Sequence, residues 1–517
     1  WHVWAPLKAG GAEHPHLTAR FAIRSYAGTT KARVDLTIEN NWAYEPNPQN
    51  FTYDADINVG NKSVYAKAGL THYHHARWRG TYWWGAQPEV HVKQQTSYLI
   101  ATKSLPNYDQ SIVIRDANLD LLKTNWDAAK AEPMGVGLAN PAMATTGGRP
   151  DIGLNPGWTV SYLLSMDKRA KDATLGTGNL SGSWSIHYRD KNTNKPVSIL
   201  DYPYMTILGR PGDTVNPATG KSEAFPSCSQ STDCLTPNRH DTAHQPALVY
   251  IPYLLTGDHY YLEELQFWAM YNALQDNPHY REFAMALVWP TEVRGQSWIL
   301  RTLADATYIT PDNDPMKSHF TQILNSNLNW FNKNYVNNPQ TNAFGVITNG
   351  FAVVYEGATA IAPWQDDFFT SAIGHMVDLG FTNAKPLLDW KSKFSISRMI
   401  DPGYCWIMGS SYTLKIRNSE SSPFYNTMKE AYVASTPSDI SSLTCASQEM
   451  ATKLGLKMGE MVGYAYGEQG YPSNMQPALA YSADARTPGG TEAWLRFNNR
   501  TVKPDYSVGP QFAIVPR

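Results

Sequence analysis

Between about Leu17 and Arg115 apolar and polar residues alternate: Val34, Leu36 and Ile38 follow the turn-forming Ala27-Gly28-Thr29-Thr30, and Tyr53, Ala55, Ile57 and Val59 repeat the pattern. A period of two marks a strand with one face in a core. Past about residue 116 the apolar runs lengthen and take helical spacing, as in Leu248 to Leu255 and then Tyr261, Leu262, Leu265, Phe267 and Trp268. The pattern predicts a multidomain α+β chain. A β-sandwich-like domain is expected over 1–115, helices over 116–485, and an extension over 486–517 that packs on the domains.

The helical part repeats itself. Residues 156–176 read as helix, Ser-Met-Asp break, helix; 246–274 do so with Thr-Gly-Asp, 294–331 with Thr-Pro-Asp and 366–394 with Asp-Leu-Gly. Pro or Gly ends the first helix of a unit and Asp, Thr or Ser caps the second. Each unit is therefore an αα-hairpin, and further members are expected near 118–131 and 446–463. Their spacing is too irregular for an ordinary solenoid, which makes closure round a common axis, an (α/α) toroid, the economical arrangement. A β-domain followed by such hairpins, with Tyr-Leu-Leu-Thr-Gly-Asp-His-Tyr-Tyr at the 253–261 turn, resembles the (α/α)-toroid polysaccharide lyases and glycoside hydrolases. It looks most like lyases acting on acidic, rhamnose-containing glycans. The likeness is architectural, covers most of the chain and carries no catalytic signature, so the function it implies is an analogy.

Composition narrows the classes. The 517 residues hold 43 Lys+Arg against 45 Asp+Glu, which argues against a nucleic-acid binder working by bulk charge. Aromatics at 12% against 17% charged residues exclude a disordered chain. No apolar run of about 18 residues occurs, so no membrane-spanning helix is expected. The chain opens Trp-His-Val-Trp, as a processed or trimmed N-terminus would. Four cysteines, Cys228 and Cys234 in a polar loop, then Cys405 and Cys445, fit two disulfides formed in that order and a secreted or periplasmic protein. The first would clip a loop excursion over 205–239 and stiffen the rim of a site near 238–246. No GxGxxG, P-loop or Gly-x-Ser-x-Gly pattern is present, and no cofactor is expected. Asn50, Asn61, Asn179 and Asn499 head glycosylation sequons, which matter only in a eukaryotic secretory setting.

The repeat supplies a site argument. Residues just before the first helix of each hairpin occupy equivalent places and should share a face: 147–153 with Arg149 and Asp151, 238–246 with Arg239, His240, Asp241 and His244, 290–298 with Glu292, Arg294 and Trp298, and 362–369 with Trp364, Asp366 and Asp367. Helix capping explains any one acid among them, but capping does not require arginine, histidine and tryptophan in the same register. His240 and His244, four apart with Asp241 beside them, suit proton transfer better than a metal, because the Glu of a His-Glu-x-x-His motif is missing. Elimination from an acidic polysaccharide needs a base, a cation on the carboxylate and an acid for the leaving oxygen. The candidates are His240 or His244, Arg294 and Tyr250, with Asp241 as partner and His187, Tyr188 and Arg189 as a second source.

Two alternatives stay open. A hydrolase would need a pair of carboxyls drawn from Asp151, Asp241, Glu292, Asp366 and Asp367. A non-catalytic carbohydrate-binding or virion-surface protein would keep only the aromatics. The stretch 72–85, with His72, His74, His75, Arg77, Trp78, Arg79, Tyr82, Trp83 and Trp84, suits either a sugar face, for which Trp83 is the candidate, or packing of the β-domain onto the helices. Glu263 and Glu264 rank lower, one of them being expected to face solvent.

Overall fold

In a computed structural model, which describes residues 1–145, 148–208 and 210–517, the N-terminal part is a small antiparallel sheet and the rest is mainly helical. Six strands open the chain: β1 (His2–Ala9), β2 (Ala12–Ser25), β3 (Ala32–Glu39), β4 (Phe51–Val59), β5 (Lys62–His72) and β6 (Arg77–Trp84). One sheet runs in the order β1-β2-β3-β6, and β4 and β5 form a separate hairpin. Leu36 and Ile38 of β3, Ala19 of β2, Leu70 of β5 and Trp78 of β6 share one core, joined by Tyr53, Ala55 and Ile57 of β4. The alternation therefore finds its apolar face. The N-terminal run of strands stops at Trp84; residues 85–95 are irregular and Thr96–Ala101 is helical, well short of the expected boundary at Arg115, and later strands are two-residue pairs.

The four expected hairpins form: Gly157–Ser165 with Lys168–Asn179, Tyr250–Thr256 with His259–Leu274, Val293–Ile309 with Met316–Phe331, and Pro363–Asp378 with Lys385–Ile400. Their turns follow the expected chemistry. Met166 and Gly257 adopt the left-handed conformation, and Asp167 and Asp258 cap the next helices by accepting from the amides of Arg169 and Tyr260. A fifth hairpin, Tyr471–Asp484 with Gly490–Asn498, draws part of the expected C-terminal extension into the helical array. The two weaker expectations fail: 118–131 holds most of one helix, Asp116–Ala128, laid on Lys168–Asn179, and 446–463 holds the one helix Gln448–Leu454.

Pro363–Asp378 is the central helix. It is buried from Pro363 to Met376 and packs on Val293–Ile309 and Tyr471–Asp484. Gly374 allows the second of these packings, because a Cβ there would lie 2.2 Å from the Tyr481 side chain. Asp366 pairs with Lys391, Asp367 with Arg398, and His375 Nε2 meets Asp305 Oδ1 at 2.9 Å. No described helix is long and apolar enough to cross a membrane.

Both expected disulfides are formed, Cys228–Cys234 and Cys405–Cys445, as in proteins of an oxidising compartment. The second joins positions 40 residues apart. Replacing both of its cysteines by serine is expected to cost about 2–4 kcal/mol by freeing the unfolded chain, measured as a lower midpoint of thermal unfolding.

Candidate functional site

Five helices begin around one cleft of about 680 Å³. Arg149 and Ile152 line it ahead of Gly157–Ser165, His244 ahead of Tyr250–Thr256, Arg294 and Trp364 from the first turns of Val293–Ile309 and Pro363–Asp378, and Tyr471 and Asn474 from the start of Tyr471–Asp484. One residue at least from each of the four expected entry segments is present; Gly147 of the first lies outside the described residues. Helix N-termini carry partial positive charge. Two guanidinium groups and the Glu468 carboxylate line the cleft as well.

His244 ends a short turn, Thr242–His244, that Asp241 caps. Asp241 Oδ1 accepts from the Ala243 amide at 2.7 Å and from His244 Nδ1 at 2.9 Å. Burial pushes the Asp241 carboxyl up, but the hydrogen bond and charge of His244, the Ala243 amide and Arg294 outweigh it and hold the group below its ordinary value. The carboxylate stays ionised and fixes the imidazole with Nδ1–H toward it, leaving Nε2 with the lone pair. An oriented imidazole of this kind is equipped to accept a proton.

The two arginines differ. Arg149 donates from Nε to Asp151 Oδ1 at 2.7 Å and from its other nitrogens to the carbonyls of Met143 and His244. It braces the turn that carries His244. Arg294 lies with its guanidinium carbon 5.2 Å from the centre of the Trp364 ring and donates to Glu292 Oε1 at 3.1 Å, while its buried Nε has no hydrogen-bond partner among the described residues. Of the two, Arg294 is tied to a single carboxylate and lines the cleft.

Sequence reasoning missed one wall. Tyr355, Tyr412, Tyr464 and Tyr471 line the cleft beside Trp364. The Tyr412 ring stands 6.3 Å from Trp364 at an interplanar angle of 20°, 5.8 Å from Tyr355 and 5.7 Å from Tyr471. Burial, with Tyr412 and Glu292 nearby, pushes the Tyr355 hydroxyl up to about 12. Tyr464 takes a left-handed backbone (φ 65°), and Gly470 makes room for it, since a Cβ there would lie 2.1 Å from the Tyr464 carbonyl. A signal existed for part of this wall: in 463–471 six of nine residues are Gly or Tyr, immediately before a helix. Tyr412 had none, being brought in by the fold from an irregular loop.

Other expected site residues lie elsewhere. His240 turns from His244 and bonds the Tyr271 hydroxyl through Nδ1 at 2.7 Å, with burial depressing its basicity to about 4, so the pair does not act together. Arg239 has an exposed side chain and is tied through its backbone to Pro141 and Met143. Tyr250 is a core residue whose hydroxyl donates to the Ser104 carbonyl at 2.8 Å, and burial raises its pKa, which removes it as the acid. Trp298 is fully buried against Phe368. Asp366 and Asp367 are the internal ties described above, and Asp151 serves Arg149. Trp83 stacks on Tyr26 in the N-terminal sheet, with ring centres 5.7 Å apart. The Cys228–Cys234 loop docks on that same part of the chain, where Asn50 N donates to Asp233 O at 2.7 Å, and it contributes nothing to the cleft lining. Gly209, within the expected 205–239 excursion, lies outside the described residues.

His187, Tyr188 and Arg189 are structural. Tyr188 stacks on Phe225, His187 Nε2 meets Glu264 Oε2 at 3.0 Å, and Arg189 grips Glu39 at 2.7 and 2.9 Å and Glu263 at 2.8 Å. Arg77 joins the same group through Glu39, Glu263 and Glu264, so neither of the two helix glutamates is free in solvent. The 72–85 stretch thus packs the sheet onto His259–Leu274. Tyr250→Phe is expected to leave any activity unchanged and to cost about 1 kcal/mol for the missing hydrogen bond, read by parallel assays of turnover and unfolding. Set against family models, curated proteins and solved structures, the chain matches none of them.

Proposed function

We propose that the protein is a secreted or periplasmic enzyme, with its hairpins arranged as an (α/α) toroid, that cleaves an acidic polysaccharide by β-elimination in this cleft. The observation that carries the reading is the meeting of an Asp-oriented histidine, the Arg294 guanidinium and a wall of tyrosines in one cleft. Arg294 holds the uronate carboxylate and favours the enolate-like charge that develops there. His244 Nε2 takes the proton on the carbon next to that carboxyl. The bond from the neighbouring carbon to the glycosidic oxygen breaks, a carbon–carbon double bond forms, and the leaving oxygen takes a proton from a wall tyrosine, for which we nominate Tyr412. Tyrosine rings also offer flat faces to pyranose rings.

The acids once eligible for a two-carboxylate hydrolase are engaged: Asp151 by Arg149, Asp241 by His244, Glu292 by Arg294, Asp366 by Lys391 and Asp367 by Arg398. That favours elimination over hydrolysis. The test is incubation with a panel of acidic polysaccharides while following ultraviolet absorbance of the unsaturated uronate and reducing ends together. Both should rise. Reducing ends alone would replace the lyase by a hydrolase, and binding without cleavage would move the protein to the non-catalytic class.

A further inference from the structure

Beside the cleft lies a second compartment of about 530 Å³ with different chemistry. Leu119, Leu122, Leu138 and Trp158 give it an apolar lining, Asn118 and Asn125 add side-chain amides, and its one ionisable lining residue is Glu468. It shares walls with the cleft: Glu468 and Gln469 line both, Arg149 lines the cleft where Pro150 lines the compartment, and Phe512 lines the cleft where Gly509 lines the compartment. Gln511, behind the compartment's glycines and lining neither space, is fully buried, with neither its amide nitrogen nor its oxygen hydrogen-bonded among the described residues. Its Oε1 lies 2.8 Å from where a Cβ on Gly157 would stand and 3.0 Å from one on Gly509, and both glycines line the compartment.

We propose that this compartment is a specificity site for an O-acyl substituent on the glycan, next to the residue bound by Arg294. The proposal rests on the cleft being the glycan site. A second uronate is disfavoured here, because the compartment lining has no cation and carries the Glu468 carboxylate. A bare pyranose suits it less, since much of its hydroxyl surface would lie against Leu119, Leu122, Leu138 and Trp158 and the Asn118 amide is already bonded to Ser507. An ester suits this lining: its alkyl end removes apolar surface from water, and its carbonyl accepts from an amide N–H such as that of Asn125. The acidic sugar and the acylated sugar would then be read by two compartments separated by the Glu468–Gln469 ridge.

The test uses two ligands and a variant at an exposed lining position, Leu121→Glu, which leaves the core intact. Saturation-transfer NMR with glucose pentaacetate as the probe should show magnetisation passing from the wild-type protein to the acetyl methyls. In Leu121→Glu the charge placed beside the methyls should abolish that signal or weaken it about tenfold. Free glucose should show none. In parallel, an O-acetylated acidic polysaccharide should be cleaved with a lower KM than the same material after mild alkaline deacetylation, and Leu121→Glu should erase that difference without changing turnover of the deacetylated glycan. Absence of transfer to the methyls, or equal transfer in Leu121→Glu, overturns the acyl site even if the glycan is cleaved. Transfer to the methyls without cleavage of either glycan leaves the acyl site standing and sinks the lyase reading.

Discussion

His244→Ala is expected to lower turnover on the acidic polysaccharide by about 100- to 10,000-fold, the usual contribution of a positioned acid–base group. The expectation follows from the hydrogen bond at 2.9 Å between Nδ1 and the ionised Asp241, which leaves Nε2 as the proton acceptor. Asp241→Asn should fall in the same direction, because the amide can no longer fix the tautomer. Arg294→Lys should raise KM as well, since an ammonium cannot pair with a carboxylate bidentately or stack on Trp364 as a guanidinium does. Steady-state kinetics with circular dichroism as a folding control measure all three. Retained activity in His244→Ala, set against a large loss in Glu468→Gln, would remove the histidine from the chemistry and return the carboxylates to consideration.

Arg77→Ala is expected to destabilise the protein by about 3–5 kcal/mol, the range for removing one partner of a buried ion pair. Arg77 is 1% exposed and meets Glu39 at 2.9 Å as well as Glu263 and Glu264. Its loss strands three carboxylates with Arg20 and Arg189 as the remaining cations near them. Chemical denaturation of the variant checks the figure, and a loss under about 1 kcal/mol would mean that water reaches the group. The same network sets the acid limit. Burial raises the Glu39 and Glu264 carboxyls, yet Arg189, Arg20 and Arg77 around the first, and Arg77 and His187 around the second, bring both down to about 2. Both fall below the ordinary glutamate value, so their stabilisation is complete above about pH 4.5 and is lost as pH falls from there toward 2. The buried histidines act in the same direction: burial lowers His72 and His240 to about 4, so acidification below their ordinary range also favours the unfolded chain. An acid titration of unfolding should show its steepest loss in this window, and Arg77→Ala should flatten it.

Local pattern determined much of this protein. The period of two located β3 and β4, the Ser-Met-Asp and Thr-Gly-Asp breaks located the hairpin turns, and cysteine spacing gave the Cys228–Cys234 clip, because each depends on residues close in sequence; Cys405–Cys445 followed as the remaining pair. The equivalence of helix entries brought Arg149, His244, Arg294 and Trp364 to one cleft, since a repeated unit places like positions alike. Tertiary packing decided the rest. Alternation marks Asp35 and Glu39 as facing water, but β3 is covered on that face by His259–Leu274, and the charges are neutralised by Arg33 and Arg79 at Asp35 and by Arg20, Arg77 and Arg189 at Glu39, all but Arg33 brought in from other elements. His240, Tyr250, Trp298, Asp366 and Asp367 look like His244 and Arg294 in the sequence. They differ in which side of a turn or helix meets the neighbouring hairpin, a matter of a fraction of a helical turn that only the packed structure sets. Tyr412 and Tyr464 reach the cleft from irregular loops, where no periodicity exists to be read and long-range packing alone fixes the position.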